Sequence, residues 1–335
     1  MRKTRRSRKK KQKKVVIISS LCLLIVMTIG YAAFSTNLNI TAKGNVKEKS
    51  RVIQSWDENS QTDFHSTFYK KNILNITFLD NANIPSNATE SWNVSEDKTH
   101  GGVMAWVILN NEDNTKYDLY IGAKDGVIAN KNSSNLFKTF SAIKTINFDN
   151  NFDTSNVTNM QSMFTDCRNL EELDLSRFDT SNVTTMHTMF YYCENLKKLN
   201  ISNFNTSKVI NMRAMFGYCA NLNILNLSSF DTSAVIDMSY MFEHCNSLTT
   251  LDLSNFNTSK VTTMYGMFSY FQSPNIEEIN LCNFDTSSVV NMNYMFQYTT
   301  KLKKISVGSN WTETNADVTN MFTGSGVSSV TTGEC

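Results

Sequence analysis

The sequence predicts an α/β repeat solenoid, a right-handed coil of short strands and short helices with a β-rich N-terminal cap. Three observations predict it. Phe152, Phe178, Phe204, Phe230 and Phe256 stand 26 residues apart, and Phe284 follows after 28 because Gln272–Pro274 carries an insertion. A Met-Phe pair recurs with the same period, from Met163-Phe164 to Met295-Phe296, and Met321-Phe322 opens a truncated last unit. A period in this range marks units that bury their apolar faces only against their neighbours. Residues 35–133 lack the period and instead hold strand-like runs separated by polar turns.

The chain begins with a basic leader. Residues 1–14 carry ten Lys or Arg and no acid, and an apolar run follows from Val15 to Phe34. That order is the form of a secretory signal, with Gly30 and Ala32 offering a cleavage site after Ala32. About 20 apolar residues also suffice to span a bilayer, with the basic flank kept in the cytoplasm. Both readings export residues 35–335. Cys22 within the run reads as an apolar filler. The C-terminus carries no wall-sorting pattern, so any anchor is expected at residues 15–34. The formal charge of +2 belongs to this leader: without it 22 basic residues face 30 acidic ones, a net of −8. An acidic body with no basic stripe excludes nucleic acid as a partner.

Residues 35–133 follow, with strand-like runs at Ile73–Leu79, Val103–Leu109 and Tyr117–Ile121, and with Trp56, Trp92 and Trp106. A repeat stack needs its first unit covered, so this segment reads as a β-rich cap. An independent ligand-binding domain is the alternative. Residues 134–322 form the repeats, opened by a degenerate unit with Leu136-Phe137 and the run Ile143–Phe148, and residues 323–335 are a polar tail.

Within one unit, Val157, Met160, Met163 and Phe164 fall at i, i+3, i+6 and i+7, the spacing of one face of a short helix. Thr154 or Ser155 is placed to cap its N-terminus, and Asp153 to form an Asx turn. Leu170, Leu173 and Leu175 then follow as Leu-x-x-Leu-x-Leu, the leucine-rich-repeat-like strand pattern, and Phe178 closes the unit.

The phrase MFTDCRNLEELDLSRFDTSNVTTM resembles the BspA-like leucine-rich repeat surface proteins of bacteria over residues 133–322. The lead-in segments ITFLD, GGVMAWV and DLYIGAKDGVIANKNSSNLF are similar to those that precede such repeats. GYAAFSTNLNITAKGNV is similar to export leaders of Gram-positive surface proteins. The resemblance implies a cell-surface or secreted protein, with host adhesion and matrix-protein binding reported for some members. It carries over no functional residue.

Several recurring positions hold chemistry-bearing side chains. Cys167, Cys193, Cys219 and Cys245 share one position, replaced by Phe271 and Thr299 in the next two units, and are expected as buried free thiols. Cys282 and Cys335 are expected as the exposed ones. Glu171-Glu172, Lys197-Lys198, Glu277-Glu278 and Lys303-Lys304 place acidic beside basic rungs, suited to cross-rung ion pairing. The neutral stretch from Asn223 to Thr250 is an alternative contact strip.

Tyr192, Tyr218, His244, Tyr270 and Tyr298 form a further column, with Tyr191, Tyr240, Tyr265 and Tyr294 nearby. These five are the candidate ligand-binding residues, because rings with a polar tip suit sugars or protein partners. A purely packed ladder is the alternative. His65, His100, His187 and His244 share no ligand spacing, so no metal site is expected. Asp174 and Asp179 recur with the repeat and read as turn chemistry, so no catalytic residue and no cofactor are expected. The expected function is that of an exported cell-surface binding protein, adhesin-like, contacting an extracellular protein or glycan and touching membrane only through residues 15–34. A structural or self-associating envelope protein is the alternative.

Overall fold

A computed structural model describes residues 49–333. The leader, the signal or anchor at 15–34 and Cys335 lie outside the described residues. Among the described residues no helix is long and apolar enough to cross a membrane.

The N-terminal runs form strands: β1 (Ile73–Leu79), β2 (Glu90–Asn93), β3 (Met104–Leu109), β4 (Tyr117–Gly122) and the short β5 (Val127–Ile128). A 3-10 turn at Asp63–His65 and helix α1 (Thr67–Lys70) precede them, the Ser66 hydroxyl accepting from the Tyr69 amide. β6 (Thr145–Asn147) comes from the degenerate first repeat and joins the same sheet, whose order is β2-β3-β4-β1-β6. β2–β3 and β3–β4 are antiparallel, and β1 pairs in parallel with both β4 and β6. The core is continuous across this junction. Phe78 of β1 lies 4.5 Å from Phe152, 5.2 Å from Phe148 and 6.2 Å from Phe137, ring centre to ring centre.

The repeats do not build the α/β solenoid that their period suggests. The described chain is nearly all β: helix is confined to Asp63–His65 and Thr67–Lys70, and the repeats contain none. Strands β7 (Phe152–Asp153), β8 (Glu172–Asp174), β9 (Lys198–Asn200), β10 (Glu278–Leu281), β11 (Lys304–Val307) and β12 (Thr331–Thr332) are short. They make three small separate sheets, β5-β7, β8-β9 and β10-β11-β12. No strand forms at Leu225 or Leu251, so there is no continuous strand face and no leucine-rich-repeat-like coil of strand and helix.

Backbone hydrogen bonding explains why the expected helix is absent. Val157, Met160, Met163 and Phe164 are all fully buried, so the apolar face is where the spacing puts it. A helix would direct every N–H to the carbonyl four residues back. Here alternate N–H groups leave the unit. Met160, Ser162, Phe164 and Asp166 donate to Thr185, His187, Met189 and Tyr191 of the next unit at 3.2, 2.9, 2.9 and 2.7 Å. The intervening Met163, Thr165 and Cys167 donate to Met160, Ser162 and Phe164 within the unit. Ser162 (φ 55°) and Asp166 (φ 65°) lie in the left-handed region, which ends any right-handed helix. The same two positions are left-handed at Thr188 and Tyr192, Ala214 and Tyr218, and Tyr240 and His244.

Successive units therefore register through rows of single hydrogen-bonded bridges as well as through the short sheets. Parallel bridges run from Asn132 through Asn159, Thr185, Asn211, Asp237, Thr263 and Asn291 to Asp317. Thr154 caps no helix. Its hydroxyl accepts the Asp179 amide at 2.8 Å and donates to the Asp179 carbonyl at 3.1 Å, one unit on. The Asx turn at Asp153 does form, accepting the Ser155 amide at 2.9 Å, and Asp174 and Asp179 do the same for Ser176 and Ser181. Across the rungs, Lys197–Glu171, Lys198–Glu172, Lys303–Glu277 and Lys304–Glu278 are paired at 2.8, 2.5, 2.7 and 3.1 Å. Such exposed pairs contribute ~0.2–1 kcal/mol each.

Candidate functional site

Each unit has two left-handed positions, and the second of them carries the aromatic column. Tyr192, Tyr218, His244, Tyr270 and Tyr298 have φ of 60°, 60°, 55°, 55° and 54°. Bulky residues avoid this region at a cost of ~1–2 kcal/mol each. Their rings pack one on the next at 4.3, 4.4, 4.6 and 4.8 Å, close to the ~4.8 Å spacing of hydrogen-bonded chains. The Arg168 guanidinium covers the open face of Tyr192 at 4.9 Å and is itself paired to Asp166 and Glu194. Burial lowers the His244 pKa, so its imidazole is neutral at pH 7. The faces of the stacked rings are occupied, and the column presents ring edges and hydroxyl groups. Tyr298, at its end, is 37% exposed.

A second feature lies beside this column. His187, Tyr191, Arg213, Tyr218, Tyr240 and Glu243 line an open cleft of about 350 Å³. The cleft arises where the repeat pattern is broken by small residues. Gly217 stands between Tyr191 and Glu243 at one repeat position, and Ala214 between Thr188 and Tyr240 at another. A side chain on Gly217 would meet the Tyr191 ring at 3.0 Å and the Tyr240 carbonyl oxygen at 3.3 Å. Ala214 lines the cleft, and a side chain at Gly217 would crowd the Tyr191 wall.

The walls are polar. The Tyr218 hydroxyl and the nearby Arg213 both favour the ionised Glu243 carboxylate, but burial outweighs them and raises its pKa to about 7. The Arg213 guanidinium lies over the Tyr240 ring at 5.3 Å. Burial also lowers the pKa of His187 and raises those of Tyr191, Tyr218 and Tyr240.

The structure thus stacks the five candidate residues and brings only Tyr218 of them to the cleft. Sequence reading did not single out Arg213, Gly217 or Glu243. The signal was present: a column that reads Tyr, Gly, Glu, Ser down successive units departs from a repeat whose other positions hold. On the neutral strip from Asn223 to Thr250, Ile224 is 67% exposed. A wider groove of about 620 Å³ beside β1 holds Lys71, Lys116, Lys144 and Arg168, but Arg168 is paired to acids, and Lys116 donates to Asn72 and to the Lys71 carbonyl.

The repeat cysteines are buried and free. The thiols of Cys167, Cys193, Cys219 and Cys245 donate to the carbonyls of Phe137, Phe164, Phe190 and Phe216 at 3.2, 3.2, 3.2 and 3.1 Å. Burial pushes all four pKa values up. Thiolate is the reactive form, so these four thiols should stay unlabelled by a disulfide reagent in the folded protein and all react in guanidinium. Fast labelling of any of them in buffer would contradict this. Cys282, expected as an exposed thiol, is half-buried and disulfide-bonded. The sequence missed this because spacing along the chain does not say which cysteines meet. Among the described residues no group of three or more His, Cys, Asp or Glu is placed to hold a metal ion.

A family model described as "Mycoplasma protein of unknown function, DUF285" matches residues 131–225 and 215–331, which together span the repeats. No curated protein and no solved structure matches the chain. The matched residues make up more than half of the chain, and the chain belongs to this bacterial repeat family.

Proposed function

We propose that this chain is an exported bacterial surface protein that binds extracellular macromolecules without catalysis, through the column Tyr192, Tyr218, His244, Tyr270 and Tyr298 and the cleft beside it. The observation that supports the reading most is the column itself. At a left-handed position that the units share, four tyrosines and a histidine stack in register, ring on ring, with Tyr298 at the end 37% exposed. The basic leader with its apolar run supports export. The likeness of the repeat phrase to BspA-like leucine-rich repeat surface proteins supports an adhesin-like role. Host matrix proteins, mucins and glycans are the partners of suitable chemistry.

The test is binding of the full chain to immobilised matrix proteins, mucins and glycans, beside a variant carrying Tyr192→Ser, Tyr218→Ser, Tyr270→Ser and Tyr298→Ser. A hit lost by at least about tenfold in the variant, with circular dichroism unchanged, is the expected result. Binding that the variant keeps in full would move the contact away from the column.

A second reading, self-association within the envelope, has one observation in its favour. Ile210, Ile236 and Val290 share one repeat position and are 49%, 45% and 60% exposed. Apolar rows of this kind mark contact surfaces. Concentration-dependent oligomers in sedimentation would support it.

A further inference from the structure

The cleft beside the column lies where the repeat pattern is broken, at Ala214 and Glu243. Ala214, Tyr191 and Tyr240 are among its lining residues, and Gly217 lies against the Tyr191 ring, where a side chain would not fit without a shift. Its volume of about 350 Å³ falls at the small end of the ~300–1,000 Å³ typical of sites for small ligands. Two opposite charges face into it without neutralising each other through a direct ion pair. The Tyr218 hydroxyl is close enough to Glu243 to favour its ionised form, and a carboxylate has about four acceptor positions. Arg213 is exposed and, among the described residues, has no carboxylate within ion-pair distance, so its N–H donors remain open.

The charge pattern selects the ligand class. An anion would gain Arg213 but meet Glu243, and a cation would gain Glu243 but meet Arg213. A neutral polyol satisfies both, since each hydroxyl donates a proton to the carboxylate and accepts one from the guanidinium. The tyrosine ring edges and hydroxyl groups around the cleft add apolar contact and further hydrogen-bonding groups for a sugar ring. We propose that the cleft lined by Tyr191, Arg213, Tyr218, Tyr240 and Glu243 binds a neutral pyranose residue of a glycan, with adjacent hydroxyls held between Glu243 and Arg213. This rests on the surface-binding reading above and names the ligand chemistry of one part of that surface.

A pH signature follows from the same geometry. The hydroxyls donate to the ionised carboxylate, and burial places the Glu243 pKa at about 7. Across pH 6 to 8 Arg213 stays charged, burial keeps Tyr191, Tyr218 and Tyr240 protonated by raising their pKa values, and burial lowers the His187 pKa and so favours its neutral form. Affinity should therefore rise as pH increases through 7, by up to roughly tenfold between pH 6 and 8.

The experiment is a titration of the full chain with neutral oligosaccharides ending in galactose, mannose or N-acetylglucosamine, and with the same series ending in a uronic acid. Wild type, Glu243→Gln, Arg213→Ala and Gly217→Leu would be compared at pH 6 and 8. The expected result is binding of one neutral series, at least about tenfold weaker in each variant and no longer pH-dependent in Glu243→Gln. Arg213 is exposed, so its variant tests the cleft even if Gly217→Leu fails to fold. Preference for the acidic series, or neutral-sugar binding that Glu243→Gln and Arg213→Ala leave unchanged, would overturn the inference. Matrix-protein binding through the column with no sugar binding would overturn it while leaving the surface-binding reading standing. Binding of neither class would remove both.

Discussion

Replacing Phe216 with alanine should destabilise the protein by about 3–5 kcal/mol, the range for deleting a fully buried aromatic ring. Phe216 is 0% exposed and sits mid-way along a stack that runs Phe137, Phe164, Phe190, Phe216, Phe242, Phe268, Phe296 and Phe322. It lies 5.8 Å from Phe190 and 6.0 Å from Phe242, at 11° and 8° between ring planes. Neither neighbour can move into the gap without leaving its own partner, because each ring is held on its far side as well. The cavity would therefore persist. Interactions in a repeat protein pass only between neighbours, so a defect in the middle uncouples the two halves. The same change at Phe322, the half-buried last ring, should cost clearly less. Urea unfolding of both variants checks this. A central loss below about 1 kcal/mol, or equal losses at the centre and the end, would show that the ring stack does not govern stability.

Thr206→Val should cost about 2–3 kcal/mol although it keeps the shape of the side chain. Thr206 is fully buried, and its hydroxyl accepts the Asp231 amide and donates to the Asp231 carbonyl, both at 2.8 Å. Valine would leave both groups of Asp231 without partners, and each orphaned polar group costs ~1–3 kcal/mol where water does not reach it. Thr154, Thr180, Thr232, Thr258 and Thr286 make the same double bond to the next unit. Thr206→Ser keeps the hydroxyl and should lose only the methyl contribution of ~0.8 kcal/mol. Hydrogen exchange gives a sharper check, because the Asp231 amide should lose protection in Thr206→Val and keep it in Thr206→Ser. If the threonine merely capped a helix within its own unit, as its place in the sequence suggests, the Asp231 amide would be unaffected.

Both results turn on what separates unit from unit, and the legibility of the sequence ended there. The 26-residue period named the buried set: Phe, Met, Leu and Cys at their repeat positions are inside. It also placed acidic rungs opposite basic ones, and they pair. Asp153, Asp174 and Asp179 were readable as turn formers because an Asx turn is a local matter of two residues. The helix was misread because a buried face at i, i+3, i+6 and i+7 arises equally from a chain of turns. Two glycines carried the warning. Gly266 (φ 59°) shares a repeat position with Thr188, Ala214 and Tyr240, and Gly324 (φ 69°) shares one with Tyr192, Tyr218 and Tyr270. Glycine at these two positions marks backbone that no right-handed helix contains.

The sequence by itself determined the length of the unit, the side chains that face inward, the charge pairing along the rungs and the existence of an aromatic column. Only the tertiary structure decided that alternate N–H groups bond to the next unit, that threonine replaces a backbone partner there, and that Glu243 and Arg213 meet at one cleft. The physical reason is one of range. Burial patterns and turns depend on neighbours in sequence, whereas each of these features is set by a partner about one repeat away, whose backbone position no local pattern specifies.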